Sequence, residues 1–214
     1  MEHPVVFLDK DGTLVKDVPY NVDPRSIVLQ EGAARGLHML AEAGYRFVVV
    51  TNQSGVARGY FPEDALQAVA EHLNAIVQAA AGTDIEAFYY CPHHPDGLVK
   101  KYAVECDCRK PAPGMLHTAA ADLGIALMQS WMVGDILNDM EAGSRAGCRT
   151  ILIDNGGETE WIPGPFRRPD FTAANLEEAA AIILSQDGRE RWSGPRMPDR
   201  ITGRQNLGGE PFAE

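Results

Sequence analysis

The sequence predicts an α/β protein built on a doubly wound, Rossmann-like parallel sheet. Short apolar runs alternate with longer amphipathic stretches along most of the 214 residues, and this alternation favours parallel strands connected by helices. The run FVVV at 47–50 is apolar at every position, as expected of a strand covered on both faces. Polar residues follow the ends of several such runs, and ligands bind at that edge of these sheets. The length allows one domain with a sizeable core.

The predicted elements follow one another regularly along the chain. Strands are expected at the short apolar runs 5–8, 47–50, 87–90, 131–133 and 150–153. Helices are expected at the longer stretches 33–43, 62–80, 115–123, 138–146 and 175–184. Gly44 suits the position that follows a helix, and Pro62, with the acids Glu63 and Asp64 behind it, suits a first helical turn.

Three stretches depart from this alternation. Residues 91–112 are rich in Cys, His and Pro and look like an insert, and residues 155–169 contain Gly and Pro without periodicity, which predicts a long loop. Residues 187–214 are polar and aperiodic. We therefore expect one domain over 1–186 and a mobile C-terminal tail over 187–214.

Charge and composition exclude some classes of protein. The net charge of −11 argues against a broad nucleic-acid-binding surface, although local cations and a metal can still hold a small phosphorylated substrate. No apolar run approaches the roughly 18 residues of a membrane-spanning helix. The N-terminus lacks the features of a signal peptide. We expect a cytoplasmic protein that binds neither nucleic acid nor membrane, and a monomer, with an oligomer as the alternative.

The first strand ends in a pair of carboxylates within the stretch FLDKDGT. Asp9 and Asp11 crowd the end of a buried strand, which is costly unless a cation neutralises them. Magnesium takes such oxygen ligands. Asp9 is a candidate nucleophile for phosphorus, and Asp11 is a candidate acid and base for the leaving oxygen and for water. A turn with two solvated acids is the alternative.

Three further motifs are placed to complete this chemistry. Thr51 and Asn52 end the second strand, where a hydroxyl and backbone N–H groups can hold phosphoryl oxygens. Arg109 and Lys110 are adjacent cations that can neutralise phosphate, although an isolated pair is more often solvated. Asp135 follows a strand and can complete a magnesium site. Asp139 can brace the loop or cap the helix that follows.

The insert carries the pattern of a structural zinc site. Cys91 and His93 are followed after twelve residues by Cys106 and Cys108, which offers three sulfurs and one imidazole to a tetrahedral ion. His94 is an alternative imidazole ligand, and reduced cysteines without metal are the alternative state. A zinc loop over 91–108 would place the two cations that directly follow it. The fourth cysteine lies apart and is expected in the core.

The order of these motifs resembles the haloacid dehalogenase superfamily of phosphatases, over roughly residues 4–185. The resemblance implies a minimal cap, an Asp9 nucleophile and Asp11 as general acid and base. It further implies that Thr51 orients the phosphoryl group and that Lys110 stabilises its charge. Magnesium would be held by the Asp9 side chain, the Asp11 backbone carbonyl and the Asp135 side chain.

Within this superfamily the insert resembles the heptose-1,7-bisphosphate 7-phosphatase family. The stretches that carry the resemblance are 51–61, 88–97 and 106–115. The histidinol-phosphatase domain shares the zinc loop but tends to have a shorter stretch between the two ligand pairs. The resemblance implies a sugar-phosphate substrate, D-glycero-D-manno-heptose 1,7-bisphosphate, which loses its C7 phosphate during the synthesis of nucleotide-activated heptose for surface polysaccharide.

The resemblance also assigns residues to the substrate. The implied substrate-binding residues are Asp17, Val18, Pro19, Tyr20, Asn52, Gln53, Ser54 and Arg109. One position departs from the family, because Ile136 stands where a lysine that meets the substrate is common. This departure bears on the fine specificity of the site.

Other functions are compatible with parts of the pattern. Histidinol phosphate or another small phosphomonoester is the alternative substrate. A phosphotransferase would pass the aspartyl-phosphate to an alcohol instead of water. A non-catalytic zinc-containing module is disfavoured, because a degenerate site would be expected to lose one of Asp9, Asp11, Thr51, Lys110 and Asp135.

Overall fold

One parallel sheet organises the part of the chain that the structure, a computed structural model, describes, which is residues 4–188. Its six strands lie in the order β3-β2-β1-β4-β5-β6, so the chain moves outward from the middle in one direction and then in the other. Phe7 is paired with Val48 on one side and Met132 on the other. The doubly wound sheet is therefore confirmed. The strands are β1 (Val5–Leu8), β2 (Arg46–Asn52), β3 (Ala87–Cys91), β4 (Trp131–Gly134), β5 (Arg149–Ile153) and β6 (Phe171–Ala173).

Helices cover both faces of the sheet. They are α1 (Ala33–Glu42), α2 (Gly55–Arg58), α3 (Ala65–Ala81), α4 (Gly114–Leu123), α5 (Leu137–Ala146) and α6 (Leu176–Gln186). Short 3₁₀ turns lie at Pro24–Ser26 and Leu127–Gln129. None of the helices among residues 4–188 has the length and apolar character to cross a membrane.

Alternate residues of the central strands feed two separate cores. Val6 and Leu8 pack on the face covered by α1, α3 and α6, whereas Val5 and Phe7 pack on the face covered by α4 and α5. All four side chains are fully buried. Burying an apolar side chain of this size contributes about 1.5–3 kcal/mol, so a continuous apolar strand stabilises both layers at once.

The structure differs from the predicted elements in three places. Helix α3 begins at Ala65, because residues 62–64 form a turn, so the predicted start at Pro62 is wrong by three residues. The four-residue helix α2 was not predicted from the turn-like sequence after Asn52. Strand β6 was not predicted either, since only three residues at the edge of the sheet form it.

The segments that surround the carboxyl ends of the strands are loops. Residues 9–31 fold over this edge through short bridges that pair Val15 with Asp11 and with Leu29. The insert after β3 and the long loop after β5 flank the same edge, and the predicted loop over 155–169 is confirmed. Of the predicted tail, Asp187 and Gly188 are described, and the rest lies outside the described residues.

Candidate active site

The strand ends bring the four sequence motifs into one cleft. Asp9 follows β1, Thr51 belongs to the end of β2 and Asp135 follows β4, while Lys110 arrives from the insert. The residues that line this part of the cleft are Asp9, Asp11, Asp17, Thr51, Asn52, Lys110, Asp135, Ile136 and Gly157. The site lies where the strand order reverses, the position at which doubly wound sheets bind ligands.

Lys110 lies at the centre of the buried charges. Its Nζ is 2.5 Å from Asp9 Oδ1 and 2.7 Å from Asp139 Oδ1, and it donates to the carbonyl of Val50 at 2.9 Å. Burial opposes the ammonium, but the carboxylates of Asp139 and Asp9 outweigh it and raise the pKa of Lys110. Lys110 is therefore a permanent positive charge directed at the candidate nucleophile.

Asn52 fixes the backbone that carries this lysine. Its Nδ2 donates to the Lys110 carbonyl at 3.0 Å, and its Oδ1 accepts from the Lys110 N–H at 3.0 Å. This reciprocal pair ties the end of β2 to the insert. Asn52 thus has a structural contact in addition to its place in the cleft wall.

A small network holds Asp11 and Thr51. Gln53 Nε2 donates to Asp11 Oδ2 at 3.1 Å and to Thr51 Oγ1 at 3.0 Å. The buried Lys10 forms an ion pair with the other oxygen of Asp11. Burial raises the pKa of Asp11 even though Lys10 opposes the rise. A carboxyl that keeps its proton more readily is suited to act as an acid.

Three carboxylates converge beside the lysine. Oxygen atoms of Asp9, Asp135 and Asp139 lie within 4.8 Å of one another. Burial, followed by the charges of Asp9 and Asp139, raises the pKa of Asp135 to about 8, and burial raises the pKa of Asp139 to about 6. Since Lys110 supplies one positive charge to this group, the donor set fits a hard divalent cation such as magnesium.

Glycines make room for the Asp135 carboxylate. A Cβ on Gly12, whose φ is +80°, would lie 2.0 Å from Asp135 Oδ2, and one on Gly157 would lie 2.1 Å from the same atom. Thr13 Oγ1 donates to the other oxygen at 3.2 Å. The left-handed turn at Gly12 therefore lets the first loop close directly over the carboxylate.

Asp139 caps the helix that follows, as considered from the sequence, and also makes an ion pair that was not predicted. Its Oδ2 accepts from the backbone N–H of Ile136 at 3.3 Å, and its Oδ1 pairs with Lys110. The residue is fully buried. It caps α5 and at the same time holds the cation.

The insert assembles the predicted zinc ligands. The three sulfurs of Cys91, Cys106 and Cys108 lie 3.1–3.5 Å apart, and His93 Nδ1 lies 3.3 Å from Cys108 Sγ. All four cysteines of the chain are free thiols rather than disulfides. Four soft and borderline donors that converge on one point fit a tetrahedral zinc ion. His94 lies outside this set and contacts Arg58 instead.

Six of the eight predicted substrate residues line a second compartment of the cleft. It is lined by Asp11, Asp17, Pro19, Tyr20, Asn21, Asn52, Gln53, Ser54 and Gly55. Val18 and Arg109, both among the described residues, do not line either compartment. Val18 is 42% exposed, and Arg109 donates to the carbonyl of His93 at 3.4 Å.

Several residues of the site were missed from the sequence. Lys10 and Thr13 lie inside the first motif, but nothing in the sequence indicates that their side chains contact Asp11 and Asp135. Asn155 donates to the carbonyl of Gly12 at 2.7 Å. It follows β5, so the rule that polar residues gather after strand ends could have found it.

Comparisons with known proteins place this site in a family. A family model described as HAD-hydrolase-like matches residues 107–179. A D-glycero-β-D-manno-heptose-1,7-bisphosphate 7-phosphatase of Haemophilus ducreyi is 43% identical over 83% of this chain and 97% of its own length. The enzyme of the same name from Escherichia coli K12 is 41% identical over 86% and 95%. One solved structure that resembles this chain is the D,D-heptose 1,7-bisphosphate phosphatase of B. bronchiseptica, complexed with magnesium and phosphate. It superposes with a TM-score of 0.68 at 29% identity, and the match covers 86% of this chain and 99% of that one.

Proposed function

Since the chain belongs to the D-glycero-β-D-manno-heptose-1,7-bisphosphate 7-phosphatase family of haloacid dehalogenase-like phosphatases, we propose that it removes the C7 phosphate of that sugar bisphosphate. The observation that carries the proposal is the buried contact of 2.5 Å between Lys110 Nζ and Asp9 Oδ1 at the end of β1. A carboxylate held by a fixed cation, with a second acid two residues away, supports a reaction through an aspartyl-phosphate intermediate.

Asp9 is the nucleophile of the proposed reaction. One carboxylate oxygen attacks phosphorus in line, and the bond from phosphorus to the sugar oxygen breaks. Asp11, whose pKa is raised by burial, gives its proton to that leaving oxygen. The carboxylate of Asp11 then takes a proton from water as the water attacks the phosphoryl group, which releases phosphate and restores Asp9.

The transferred phosphoryl group is held by charges and donors of the chain. Lys110 and the hydroxyl of Thr51 face it, and Gln53 keeps Thr51 and Asp11 in place. Magnesium would be held by the side chains of Asp9 and Asp135 and by the backbone carbonyl of Asp11. When bound, it would supply further positive charge to the phosphoryl oxygens.

The remainder of the sugar is proposed to lie in the second compartment. Asp17, Pro19 and Tyr20 form one wall, and Asn52, Gln53 and Ser54 form the other. Val18 is 42% exposed and belongs to the same turn as Asp17, Pro19 and Tyr20. Arg109 binds the substrate by a movement toward the cleft from its present contact with His93.

One observation favours a second candidate substrate. Ile136 lines the catalytic part of the cleft and offers no charge there. A small phosphomonoester with a single anionic group, such as histidinol phosphate or a sugar monophosphate, needs no further cation. This alternative keeps the same chemistry and changes only the substrate.

A substrate panel separates these two proposals. Phosphate release is measured with magnesium for both anomers of the heptose bisphosphate, for histidinol phosphate and for common sugar monophosphates. We expect kcat/KM for one heptose anomer to exceed that of the other substrates by about tenfold or more, which corresponds to about 1.4 kcal/mol of transition-state discrimination. Comparable weak rates on all substrates would contradict the heptose assignment and leave the phosphatase chemistry standing.

Asp9→Asn is the control for the chemistry itself. The amide keeps the shape of the side chain but cannot attack phosphorus, so we expect turnover to fall by about 10⁴-fold or more. The melting temperature should not fall, because the variant removes one of the crowded carboxylates. Substantial turnover in the purified variant would overturn the nucleophile assignment.

A further inference from the structure

Two tyrosine rings meet at the mouth of the second compartment. Tyr20 and Tyr60 lie edge to face, with centroids 4.6 Å apart and an angle of 72° between the ring planes. They are 47% and 59% exposed. Tyr20 itself lines the compartment, together with Asp17 and Ser54. The pair therefore joins the loop after β1 to the chain that follows α2.

Tyr20 has an unusual backbone conformation. Its φ is +56°, and no other residue except glycine has a positive φ among residues 4–188. This left-handed region is unfavourable for a residue with a Cβ atom and persists only where surrounding contacts hold it. Within residues 17–21 of the described chain, the turn has one backbone hydrogen bond, from the Asn21 N–H to the Val18 carbonyl at 3.1 Å. Because one backbone hydrogen bond alone stabilises a turn weakly, a further contact is needed to hold this conformation.

Tyr60 is fixed more firmly than its partner. Its N–H donates to the carbonyl of Gly55 at 2.9 Å, and the preceding Gly59 donates to Val56 at 3.1 Å with a φ of +75°. The neighbouring Phe61 packs so closely on Gly55 that a Cβ there would lie 2.2 Å from its ring. Gly55 also lines the second compartment. Tyr60 is thus tied to the wall that faces Tyr20.

We propose that Tyr60 is a positioning residue, whose ring holds Tyr20 and the Asp17–Tyr20 turn against the part of the cleft that receives the sugar. The proposal rests on the proposed function in one respect, because it takes the substrate to be a phosphorylated sugar. Tyr60 acts through Tyr20 on the binding of the sugar portion. The transfer of the phosphoryl group takes place in the other compartment and does not depend on it.

Steady-state kinetics of a double-mutant cycle tests this role on the sugar phosphate that the wild type hydrolyses best. We expect Tyr60→Ala to raise KM about fivefold and to leave kcat within about twofold, because an aromatic pair contributes a modest energy. Tyr60→Phe keeps the ring and should behave as the wild type. In a Tyr20→Ala background, Tyr60→Ala should change KM by less than about twofold.

Inorganic phosphate is the probe for the catalytic compartment alone. Its inhibition constant should be the same in the wild type and in Tyr60→Ala, since phosphate does not reach the two rings. A matched loss of kcat, a weaker inhibition by phosphate or an equal rise of KM in the Tyr20→Ala background would overturn the positioning role.

Hydrogen exchange gives a readout that needs no substrate. In Tyr60→Ala, but not in Tyr60→Phe, the peptide that contains Val18 to Asn21 should exchange its amides about fivefold faster, because the turn opens more often. An unchanged exchange rate in Tyr60→Ala overturns the proposal whatever the substrate is. If the heptose bisphosphate is not hydrolysed, the proposed function fails, while the exchange experiment still decides this inference.

Discussion

At the scale of single residues, the site is an arrangement of carboxylates that repel one another. Asp9, Asp135 and Asp139 share one buried cation, Lys110. Burial, followed by the charges of Asp9 and Asp139, raises the pKa of Asp135 to about 8. Strongly raised pKa values of this kind cluster at functional sites, where a bound cation neutralises the crowded carboxylates.

The raised pKa leads to a prediction for Asp135. Its ordinary pKa is 3.8, and its folded pKa is about 8. Because the folded state binds the proton more tightly than the unfolded state, the metal-free protein loses stability as the pH rises from about 4 to about 8. At pH 8 we therefore expect metal-free Asp135→Asn to melt at the same temperature as the wild type or higher.

With magnesium bound, we expect the wild type instead to melt at a higher temperature than Asp135→Asn. In the wild type, saturating magnesium should raise the melting temperature by several degrees, since about 100-fold excess over Kd stabilises by about 2.7 kcal/mol. The increase should vanish in Asp135→Asn and persist in the control Asp17→Asn, whose carboxylate lines the cleft outside the cluster. Scanning calorimetry measures both effects. An equal magnesium shift in the wild type and Asp135→Asn would contradict this assignment of the ligand.

Most residues of the site could be predicted from the sequence, but one of its ion pairs could not. Asp9, Asp11, Thr51, Lys110 and Asp135 were predicted to share a site, because parallel strands end at one edge and the motifs follow those ends. The pairing of Asp139 with Lys110 could not be predicted. The two residues are 29 positions apart, and a helix-capping acid looks the same in a sequence whether or not a cation lies above it.

At the scale of elements, the insert after β3 brings the lysine to the site. Lys110 lies two residues after Cys108, the last member of the cluster formed by Cys91, His93, Cys106 and Cys108, and Asn52 from β2 fixes its backbone. The segment between β3 and α4 has no helix or strand of its own among these described residues. We therefore expect a metal on these four ligands to stabilise the segment.

Cys106→Ser tests this dependence. Elemental analysis should find about one zinc per chain in the wild type and a large loss in the variant, because a serine hydroxyl replaces a thiolate ligand. Turnover should fall with the zinc, as Lys110 loses its position. Cys148→Ala is the matched control, since Cys148 is buried and lies outside the cluster. It should keep both zinc and turnover. Full folding and activity of metal-free wild type would refute the structural role.

The errors in the predicted elements have local causes. Strand β6 has only three residues and depends on pairing with β5. A run of three residues is too short to predict that pairing from the sequence. Helix α2 arises where Gly59 closes the turn with a φ of +75°, and the same residues suit an ordinary turn. Helices α1 and α5 were predicted within one residue at each end, since their apolar period is long enough to be distinctive.

At the scale of the whole molecule, the end of the described chain is built into the base of the sheet. Asp187 accepts hydrogen bonds from Tyr45, Trp131 and Arg149, and the Arg149 guanidinium lies 3.9 Å from the centre of the Trp131 ring. These contacts lower the pKa of Asp187, although burial opposes them. Asp187 therefore contacts the sheet, although it is the first residue of the predicted tail. Asp187 links the end of α6 to strands β4 and β5.

A pair of truncations tests where the domain ends. The relatives from H. ducreyi and E. coli K12 align with 83% and 86% of this chain, and with 97% and 95% of their own length. A chain that ends at Gly188 keeps Asp187, and we expect its melting temperature and kcat/KM to equal those of the full chain. A chain that ends at Gln186 loses the carboxylate that accepts hydrogen bonds from Tyr45, Trp131 and Arg149. Its free energy of unfolding should fall by about 2 kcal/mol, and its melting temperature by about 4–8 °C. Asp187→Ala in the full chain should reproduce most of this loss. If the truncation at Gly188 instead abolishes turnover, residues 189–214 take part in the active domain and the boundary is wrong.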